Sequence, residues 1–404
     1  MTDPKAQKIK IPTLEEAAQM PDVILNNTDG FQHQIDWSKN ICVVDLSYLT
    51  YTRFFGVRDW YQRAFADKQI PADHDWTSDT DFMAKFYALF LKKLFAVCRQ
   101  KLVPTSNIVF AIDCRHNDNW RVLATQTYKE TRKDSHARNN FSNFDIFPYI
   151  RRAVIAPLQK EFGNLVLKHN NLEADDMVAL FIRASKERHM PNNPGCHIYI
   201  MANDRDYIQI CDAFVHLIDL NDKPISDQIF APGTGMDARK FLLRKILCGD
   251  VSDNIGGCYF NKDFLVKYGV SCKRPQLKAS DKVLATLFAN PASYAELERL
   301  LVLTNNYHSI ANNKIPSRCL GTEISSLGSI PSEITSIAEA NKTTQNTTQN
   351  TTQKPSNNYG DELNLALEIL KDDLFVANAR LVDFANIPPG FTNEVRTWMM
   401  AVNI

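Results

Sequence analysis

The feature that most constrains the fold is an alternation of short apolar runs and helical segments between residues 41 and 220. The apolar runs predict strands at ICVVDL, NIVFAID, LVLKH, HIYIMAN and VHLIDL, and the intervening segments predict helices near residues 80–100, 146–162 and 174–188. Strands that alternate with helices are typical of a mostly parallel sheet covered on both faces. We therefore predict an α/β fold for this part of the chain.

The sequence becomes helix-rich after Pro224, and a helix is predicted over residues 237–248, ending at Gly249. Before residue 41 the chain is polar, with one capping-box signal at Thr13 and Glu16. The tract TTQNTTQNTTQ at 343–353 is too polar to bury a core. We predict an N-terminal extension at 1–40, an α/β domain at 41–224, and a helical domain at 225–404 interrupted by a disordered insertion at 315–358.

Whole-chain composition restricts the partners and the compartment. Lys plus Arg and Asp plus Glu are both 46, so only local segregation of charge can indicate a nucleic-acid partner. The nine cysteines are scattered and form no C-x-x-C pair, which favours a reduced cytosol over a zinc site or a disulfide framework. No run approaches the length of a membrane span. We expect a cytoplasmic protein with no membrane partner.

Acidic residues follow the predicted strands or begin the predicted helices. Any one of them is an ordinary turn former or N-cap. The carboxyl ends of parallel strands meet at one crevice, however, and crowded carboxylates are stable at neutral pH only with compensating cations. Oxygen ligands favour two Mg²⁺ ions about 4 Å apart, for which Mn²⁺ can substitute. The alternative is calcium binding or simple N-capping. The predicted metal ligands are Asp45, Asp113, Glu173, Asp175, Asp176, Asp204, Asp206, Asp250 and Asp253.

Six motifs occur in an order that resembles the 5′-3′ exonuclease and flap endonuclease family, and most closely its T-even phage ribonuclease H type of replication nuclease. The motifs are ICVVDL, VFAID, W-R-x₆-Y-K-x-x-R from Trp120 to Arg132, LEADDM, NDRDY and GDVSDN. A weaker match covers the C-terminal segment RLVDFANIP. The resemblance implies a PIN-like nuclease domain, a helix-three-turn-helix domain that binds duplex DNA, and two-metal hydrolysis near a 5′ end.

The resemblance also implies roles for particular residues. It assigns Asp45, Asp113, Glu173 and Asp175 chiefly to one metal, and Asp176, Asp204, Asp206, Asp250 and Asp253 to the other. Relatives follow S-D-N with a hairpin that binds a monovalent cation, whereas this chain reads Ile255, Gly256, Gly257, Cys258. This departure makes a K⁺ site doubtful.

Basic and aromatic residues are interleaved between residues 115 and 152, where basic residues outnumber acidic ones. The alternative to a nucleic-acid surface is a solvated helix face. By resemblance this segment forms the arch over the active site, with Lys129 and Arg132 on the scissile phosphate and Tyr128 stacked on a terminal base. The residues predicted to bind DNA are Arg121, Lys133 and Arg138 in this segment and Arg244, Lys245, Lys262 and Lys267 in a second basic strip.

Together these features predict a metal-dependent, structure-specific 5′ nuclease that removes RNA primers and flaps during replication, in a phage-infected host if the chain is viral. Its expected substrates are DNA and RNA/DNA duplexes with 5′ ends, flaps or forks. A single-strand-binding protein or sliding clamp is a further possible partner, and we expect a monomer. The alternatives are a PIN-type endoribonuclease and a catalytically inactive DNA-binding scaffold.

Overall fold

A computed structural model of the protein describes residues 12–23, 32–71, 74–125, 127–130, 145–313, 359–371 and 374–404. The chain forms two compact units. The first comprises Met1–Cys114, Lys133–Gln228 and Val395–Ile404, and the second comprises Arg115–Arg132 and Ile229–Glu394. The predicted insertion at 315–358 lies outside the described residues. The predicted boundary at residue 224 is close to the division after Gln228.

The strands are short and have the bounds that follow. They are β1 (Ile41–Asp45), β2 (Ile108–Ala111), β3 (Val166–Leu167), β4 (Ile198–Met201), β5 (Val215–Ile218), β6 (Tyr259–Asn261) and β7 (Gln276–Lys278). The first five form one parallel sheet in the order β3-β2-β1-β4-β5, and β6 and β7 form an antiparallel pair in the second unit. The predicted α/β fold with a mostly parallel sheet is therefore confirmed.

The α-helices among the described residues, in chain order, have the following bounds. They are α1 (Leu14–Gln19), α2 (Leu46–Ala64), α3 (Thr80–Gln100), α4 (Trp120–Ala124), α5 (Ile146–Ile150), α6 (Ala156–Phe162), α7 (Ala174–Arg188), α8 (Ile225–Ile229), α9 (Ala238–Cys248), α10 (Lys262–Lys267), α11 (Asp281–Ala289), α12 (Pro291–Asn313), α13 (Tyr359–Leu367), α14 (Leu374–Val382) and α15 (Pro389–Ala401). A π-helical turn at Arg151–Ile155 joins α5 to α6. No helix in the described part of the chain is long and apolar enough to span a membrane.

The central sheet is buried on both faces, which explains why its strands read as continuous apolar runs. In register, Val43 of β1 pairs with Val109 of β2 and Ile200 of β4, and all three are fully buried. Alternate residues such as Val44 and Phe110 lie in a core shared with α2, α3 and α5. Helix α7 packs against β1, β2 and β3. The sheet therefore fixes where its carboxyl ends, and the residues that follow them, emerge.

The N-terminal segment packs onto the first unit. Thr13 accepts a hydrogen bond from Glu16 N and forms the predicted capping box of α1, and Ala17 is buried in the core. Asp22 forms an ion pair with Arg151 at 2.7 Å. The described part of the predicted extension is therefore anchored to the first unit.

The second unit has its own apolar core. Leu243, Ile246 and Leu247 of α9 are buried together with residues of α12 and α14, such as Leu301 and Phe375. Fully burying one side chain of this size contributes about 1.5–3 kcal/mol, so this cluster accounts for much of the stability of the unit. The helix-rich texture predicted after Pro224 is thus present.

Candidate metal centre

Three neighbouring strands of the parallel sheet are each followed by an aspartate. Asp45 is the last residue of β1, Asp113 follows β2 by two residues, and Asp204 follows β4 by three residues. Because β2, β1 and β4 are adjacent and parallel, their carboxyl ends open at the same edge of the sheet. Asp45 also caps α2, since its Oδ1 accepts a hydrogen bond from Tyr48 N at 2.9 Å. The ordinary N-cap role and the sheet-end position therefore coexist in this residue.

The amino terminus of α7 contributes three more carboxylates. Glu173 is the N-cap, and its N–H donates to Asp176 Oδ2 at 3.3 Å. Asp175 and Asp176 lie in the first turn and are 9% and 0% exposed. Asp113 Oδ1 accepts a hydrogen bond from Ala174 N at 2.9 Å, which ties the end of β2 to this helix terminus. Free backbone N–H groups of a first helical turn partly offset such concentrated negative charge.

Tyr207 lies among these carboxylates and was assigned no role from the sequence. It is fully buried and its hydroxyl donates to Asp45 Oδ2 at 3.1 Å. Burial, followed by the charges of Asp45, Asp175, Asp204 and Asp113, raises its pKa well above the ordinary value. The charges of four carboxylates, from three strand ends and one helix start, thus act on this one hydroxyl, and Asp45 contacts it directly. The only sequence signal for Tyr207 was its place at the end of the NDRDY motif.

Asp45 bears a large electrostatic cost. Burial, then the charge of Asp113 and further the charge of Asp204, raise its pKa to about 7, against the opposing hydrogen bonds from Tyr48 and Tyr207. Cys114, half-buried beside the cluster, has its thiol pKa raised by burial and then by the charges of Glu173 and neighbouring aspartates. Ionised carboxylates this close need a compensating cation.

The chemistry of the donor set fits hard divalent ions. The carboxylates of the first unit are Asp45, Asp113, Glu173, Asp175, Asp176, Asp204 and Asp206. Asp206 is half-buried on the turn after β4, where its N–H donates to Asp204 Oδ1 at 2.9 Å. Oxygen donors without imidazole favour Mg²⁺ or Mn²⁺ over zinc or copper. These residues could hold such ions at the carboxyl edge of the sheet.

The remaining two predicted ligands belong to the second unit. Helix α9 ends at Gly249, as predicted, with φ +78°. A Cβ at this position would lie 2.5 Å from Ile255 O, so only glycine fits. Asp250 caps the short turn Val251–Asp253 and forms an ion pair with Lys245 at 2.7 Å. Burial raises the pKa of Asp250, but the charge and hydrogen bond of Lys245 outweigh burial and lower this pKa to about 2.

Three residues of the basic segment for which the sequence predicts contacts with nucleic acid are buried. Arg121, predicted to bind DNA, is 1% exposed; its Nε donates to Leu381 O at 2.7 Å and its guanidinium lies 4.6 Å from the Trp120 ring. Tyr128, predicted to stack on a base, is 3% exposed within the core of the second unit. Lys129 is 7% exposed, with Nζ 4.9 Å above the Tyr128 ring. Surface contact with DNA does not fit Arg121 or Tyr128 in this conformation, because neither ring nor guanidinium reaches solvent.

The other predicted contacts with nucleic acid differ in their surroundings. Arg132, Lys133 and Arg138 lie outside the described residues. In the second basic strip, Arg244 pairs with Asp281 and Lys267 with Glu296, at 2.5 and 3.1 Å, and Lys245 pairs with Asp250. Lys262, the first residue of α10, is exposed. Among the described members of this strip, Lys262 is therefore the best placed to meet a phosphate.

Comparison with known proteins gives one family match. Residues 40–234 match the model of the 5′-3′ exonuclease N-terminal resolvase-like domain. No curated protein sequence matches the chain.

Solved structures of bacteriophage T5 proteins are also similar. A T5 protein co-crystallised with metal ions has a TM-score of 0.45, and the T5 5′-exonuclease with bound zinc has 0.46. A T5 flap endonuclease in a complex with DNA and metal ions has 0.43. Each is 14% identical, and each alignment covers 91% of this chain and 100% of the T5 chain. Since these values are low, the family assignment depends on the matched domain. Residues 40–234 are therefore similar to the N-terminal resolvase-like domain of 5′-3′ exonucleases.

Proposed function

We propose that this protein is a divalent-metal-dependent, structure-specific 5′ nuclease that hydrolyses phosphodiesters near the 5′ ends or flaps of DNA and RNA/DNA duplexes. The observation that carries the proposal is the convergence of Asp45, Asp113, Asp175 and Asp204 around the hydroxyl of Tyr207. Such a cluster is electrostatically costly, as the pKa of about 7 for Asp45 indicates. Bound cations would offset this repulsion between carboxylates in the functional protein.

The carboxylates are divided between two divalent ions in this proposal. Asp45, Asp113, Glu173 and Asp175 hold one divalent ion, and Asp176, Asp204 and Asp206 contribute to a second. When bound, such ions supply positive charge to the scissile phosphate and acidify water. Tyr207 orients Asp45 by donating to its Oδ2, and the peptide N–H of Ala174 orients Asp113. These two hydrogen bonds matter because a carboxylate that rotates away from an ion loses much of its contribution to metal binding.

Basic residues complete the proposal. Lys129 and Arg132 neutralise the phosphate that is cleaved, and Lys262 contacts a phosphate of the duplex. Contacts of this kind position nucleic acid without reading its sequence, which suits an enzyme that recognises the shape of a junction. The finer role is removal of RNA primers and flaps in lagging-strand replication, with Mg²⁺ as the ion and with a single-strand-binding protein or sliding clamp as a partner.

One assay tests the proposal against both alternatives. A 5′-labelled DNA flap, a nicked duplex with a 5′ RNA primer, and single-stranded RNA are each incubated with Mg²⁺, Mn²⁺ or EDTA. The variants are Asp204→Asn, which removes one charge of the cluster, and Asp212→Asn, a control on the same unit that pairs with Lys186. Release of short 5′ products with Mg²⁺ by the wild type and the control, and not by Asp204→Asn, is expected.

Other outcomes would overturn the proposal. Cleavage confined to single-stranded RNA would identify an endoribonuclease. Binding of flap DNA without cleavage under any metal condition would identify a scaffold. Cleavage that persists in EDTA would contradict any role for the acidic cluster in holding ions.

A further inference from the structure

Two turns that are far apart in sequence are joined in the second unit. Lys129 N donates to Asp253 O at 3.1 Å, and Asn254 Nδ2 donates to Thr127 O at 3.0 Å. Between them, the Tyr128 hydroxyl donates to the Asp253 carboxylate, with Oη 3.4 Å from Oδ2. We call residues 127–130 and 250–254 the turn pair. Its three bonds connect the base of the basic segment to the GDVSDN loop.

Backbone conformation shows that the turn pair is tightly constrained. Lys129 and Asn254 both adopt left-handed conformations, with φ of +55° and +60°. Asparagine tolerates this region, but for lysine it costs about 1–2 kcal/mol. A conformation of this cost persists only where the surroundings determine it, and such residues cluster at functional sites. Each left-handed residue here takes part in a bond across the turn pair.

Burial decides what Tyr128 does. The ring is 3% exposed and packs in the core that contains Leu243, Ile246 and Leu247. Its hydroxyl meets Asp253, which is 4% exposed, and its face lies beneath the ammonium of Lys129. The Tyr128 ring is therefore packed inside the protein. Its side chain contacts both Asp253, the candidate metal ligand, and Lys129, the candidate phosphate-binding lysine.

Arg121 fixes the same segment from its other end. Its guanidinium lies between the Trp120 ring and the Leu381 carbonyl of α14. A buried arginine that donates to a backbone carbonyl holds its segment in one place, because removing it leaves that carbonyl unsatisfied. Arg121 and the turn pair thus hold the stretch from Trp120 to Glu130 on the second unit.

We propose that Tyr128 is a positioning residue that fixes the Asp253 carboxylate and the Lys129 ammonium relative to each other. This inference rests on the proposed nuclease function, in which Lys129 serves the phosphate, and on the role of metal ligand that the sequence predicts for Asp253. It replaces a role in stacking on a base. Binding at either residue then favours the conformation needed at the other, and the effect is reciprocal.

One substitution of Tyr128 separates positioning from stacking. Tyr128→Phe removes the hydroxyl and keeps the ring, so positioning predicts a loss and base stacking predicts none. Tyr268→Phe is the matched control, because its hydroxyl donates to Glu296 at 2.6 Å in the same unit. Asn254→Gly, which tolerates positive φ but lacks the amide, tests the second bond of the turn pair.

Three quantities are measured on each variant. Mn²⁺ affinity of the DNA-free protein is measured by electron paramagnetic resonance titration, flap-DNA affinity is measured in Ca²⁺, and the single-turnover rate is measured in Mg²⁺. We expect Tyr128→Phe to weaken Mn²⁺ binding several-fold and to slow turnover about tenfold, the usual scale for one hydrogen bond to a charged group. DNA affinity should change less than twofold.

Specific results would overturn the inference. Unchanged Mn²⁺ affinity and rate in Tyr128→Phe would exclude positioning by the hydroxyl. Reduced DNA affinity with an unchanged rate would restore a role in substrate binding. Equal losses in Tyr268→Phe would show a general effect of removing a buried hydroxyl. Absence of metal-dependent cleavage by the wild type would instead refute the proposed function, so the two failures are distinguishable.

Discussion

Replacing Asp45 with asparagine should stabilise the metal-free protein, although it should abolish activity. The Asp45 carboxylate is held between Tyr48 N and the Tyr207 hydroxyl, and burial and the charges of Asp113 and Asp204 raise its pKa to about 7. Raising a carboxyl pKa from 3.8 to about 7 corresponds to about 4 kcal/mol of unfavourable interaction in the ionised form. Asparagine keeps an oxygen acceptor and removes the charge.

The pH dependence has a definite sign. Because the folded-state pKa of Asp45 lies above the unfolded value, the folded protein binds more protons between pH 3.8 and pH 7. Stability of the metal-free wild type should therefore fall as pH rises through this window, with the full cost above pH 7. In Asp45→Asn this contribution to the slope disappears. Asparagine should recover about half of the 4 kcal/mol, since it fits both hydrogen bonds less well.

Thermal unfolding in EDTA at pH 5 to 8.5 measures the effect. At pH 8 we expect the midpoint of Asp45→Asn to exceed that of the wild type by roughly 4–8 °C, from about 2–4 °C per kcal/mol for a unit of this size. Added Mn²⁺ should raise the wild-type midpoint more than that of the variant. Asp22→Asn is the contrasting control, because hydrogen bonding and charge from Arg151 outweigh burial and lower the pKa of Asp22. Removing that carboxylate should lower the midpoint.

Two results would refute this reasoning. A metal-free Asp45→Asn protein that unfolds below the wild type at pH 8 would show that the carboxylate is satisfied by its hydrogen bonds alone. A variant with the same pH slope as the wild type would show that another group titrates in this window.

Four further variants test other parts of the structure. Tyr207→Phe removes the donor to Asp45 and should slow single-turnover cleavage about tenfold in quenched-flow measurements with little change in thermal midpoint; an unchanged rate would contradict the orienting role. Burial and a nearby cation lower the pKa of His308 to about 4, below its unfolded value of 6.5. The contribution of His308 to stability should therefore be fully present above pH 6.5, and the free energy of unfolding should fall by about 3 kcal/mol as pH drops to 4. Chemical denaturation of His308→Gln should show a weaker dependence of this free energy on pH. In binding titrations, Lys262→Ala should weaken DNA binding and reduce the slope of log affinity against log salt concentration by about one, without altering stability. Arg121→Ala should instead lower the thermal midpoint.

The strands could be predicted because each combines a short β-branched or apolar run with burial on both faces. The run at Ile41–Asp45 has no polar position until its last residue, and the sheet around it is closed on both sides. Convergence of Asp45, Asp113 and Asp204 then followed from geometry alone, since adjacent parallel strands end at one edge. Helix α7 was predicted to the residue, because Glu173 and Asp176 form a reciprocal cap before an apolar stretch.

Helix α2 was not predicted, and the reason is physical. The segment Leu46–Ala64 contains Gly56, threonines and several aromatic residues, which have low intrinsic helix propensity. Its helix is stabilised by the Asp45 cap and by burial of Leu49, Phe54 and Val57 against the sheet. Most helical stability in proteins comes from such tertiary packing, which the local sequence does not contain.

The basic segment shows a second limit of prediction from sequence, which is the burial of charged side chains. A charged side chain is normally placed at the surface, because few are fully buried without partners. Arg121 and Lys129 depart from this rule because the adjacent residues Trp120 and Tyr128 supply aromatic faces. The Leu381 carbonyl that Arg121 meets is distant in sequence. Local charge density therefore identifies the basic segment but does not predict which of its residues are buried. Arg121 and Tyr128 are buried in the second unit, so the proposed function assigns contact with nucleic acid to other basic residues, such as Lys262.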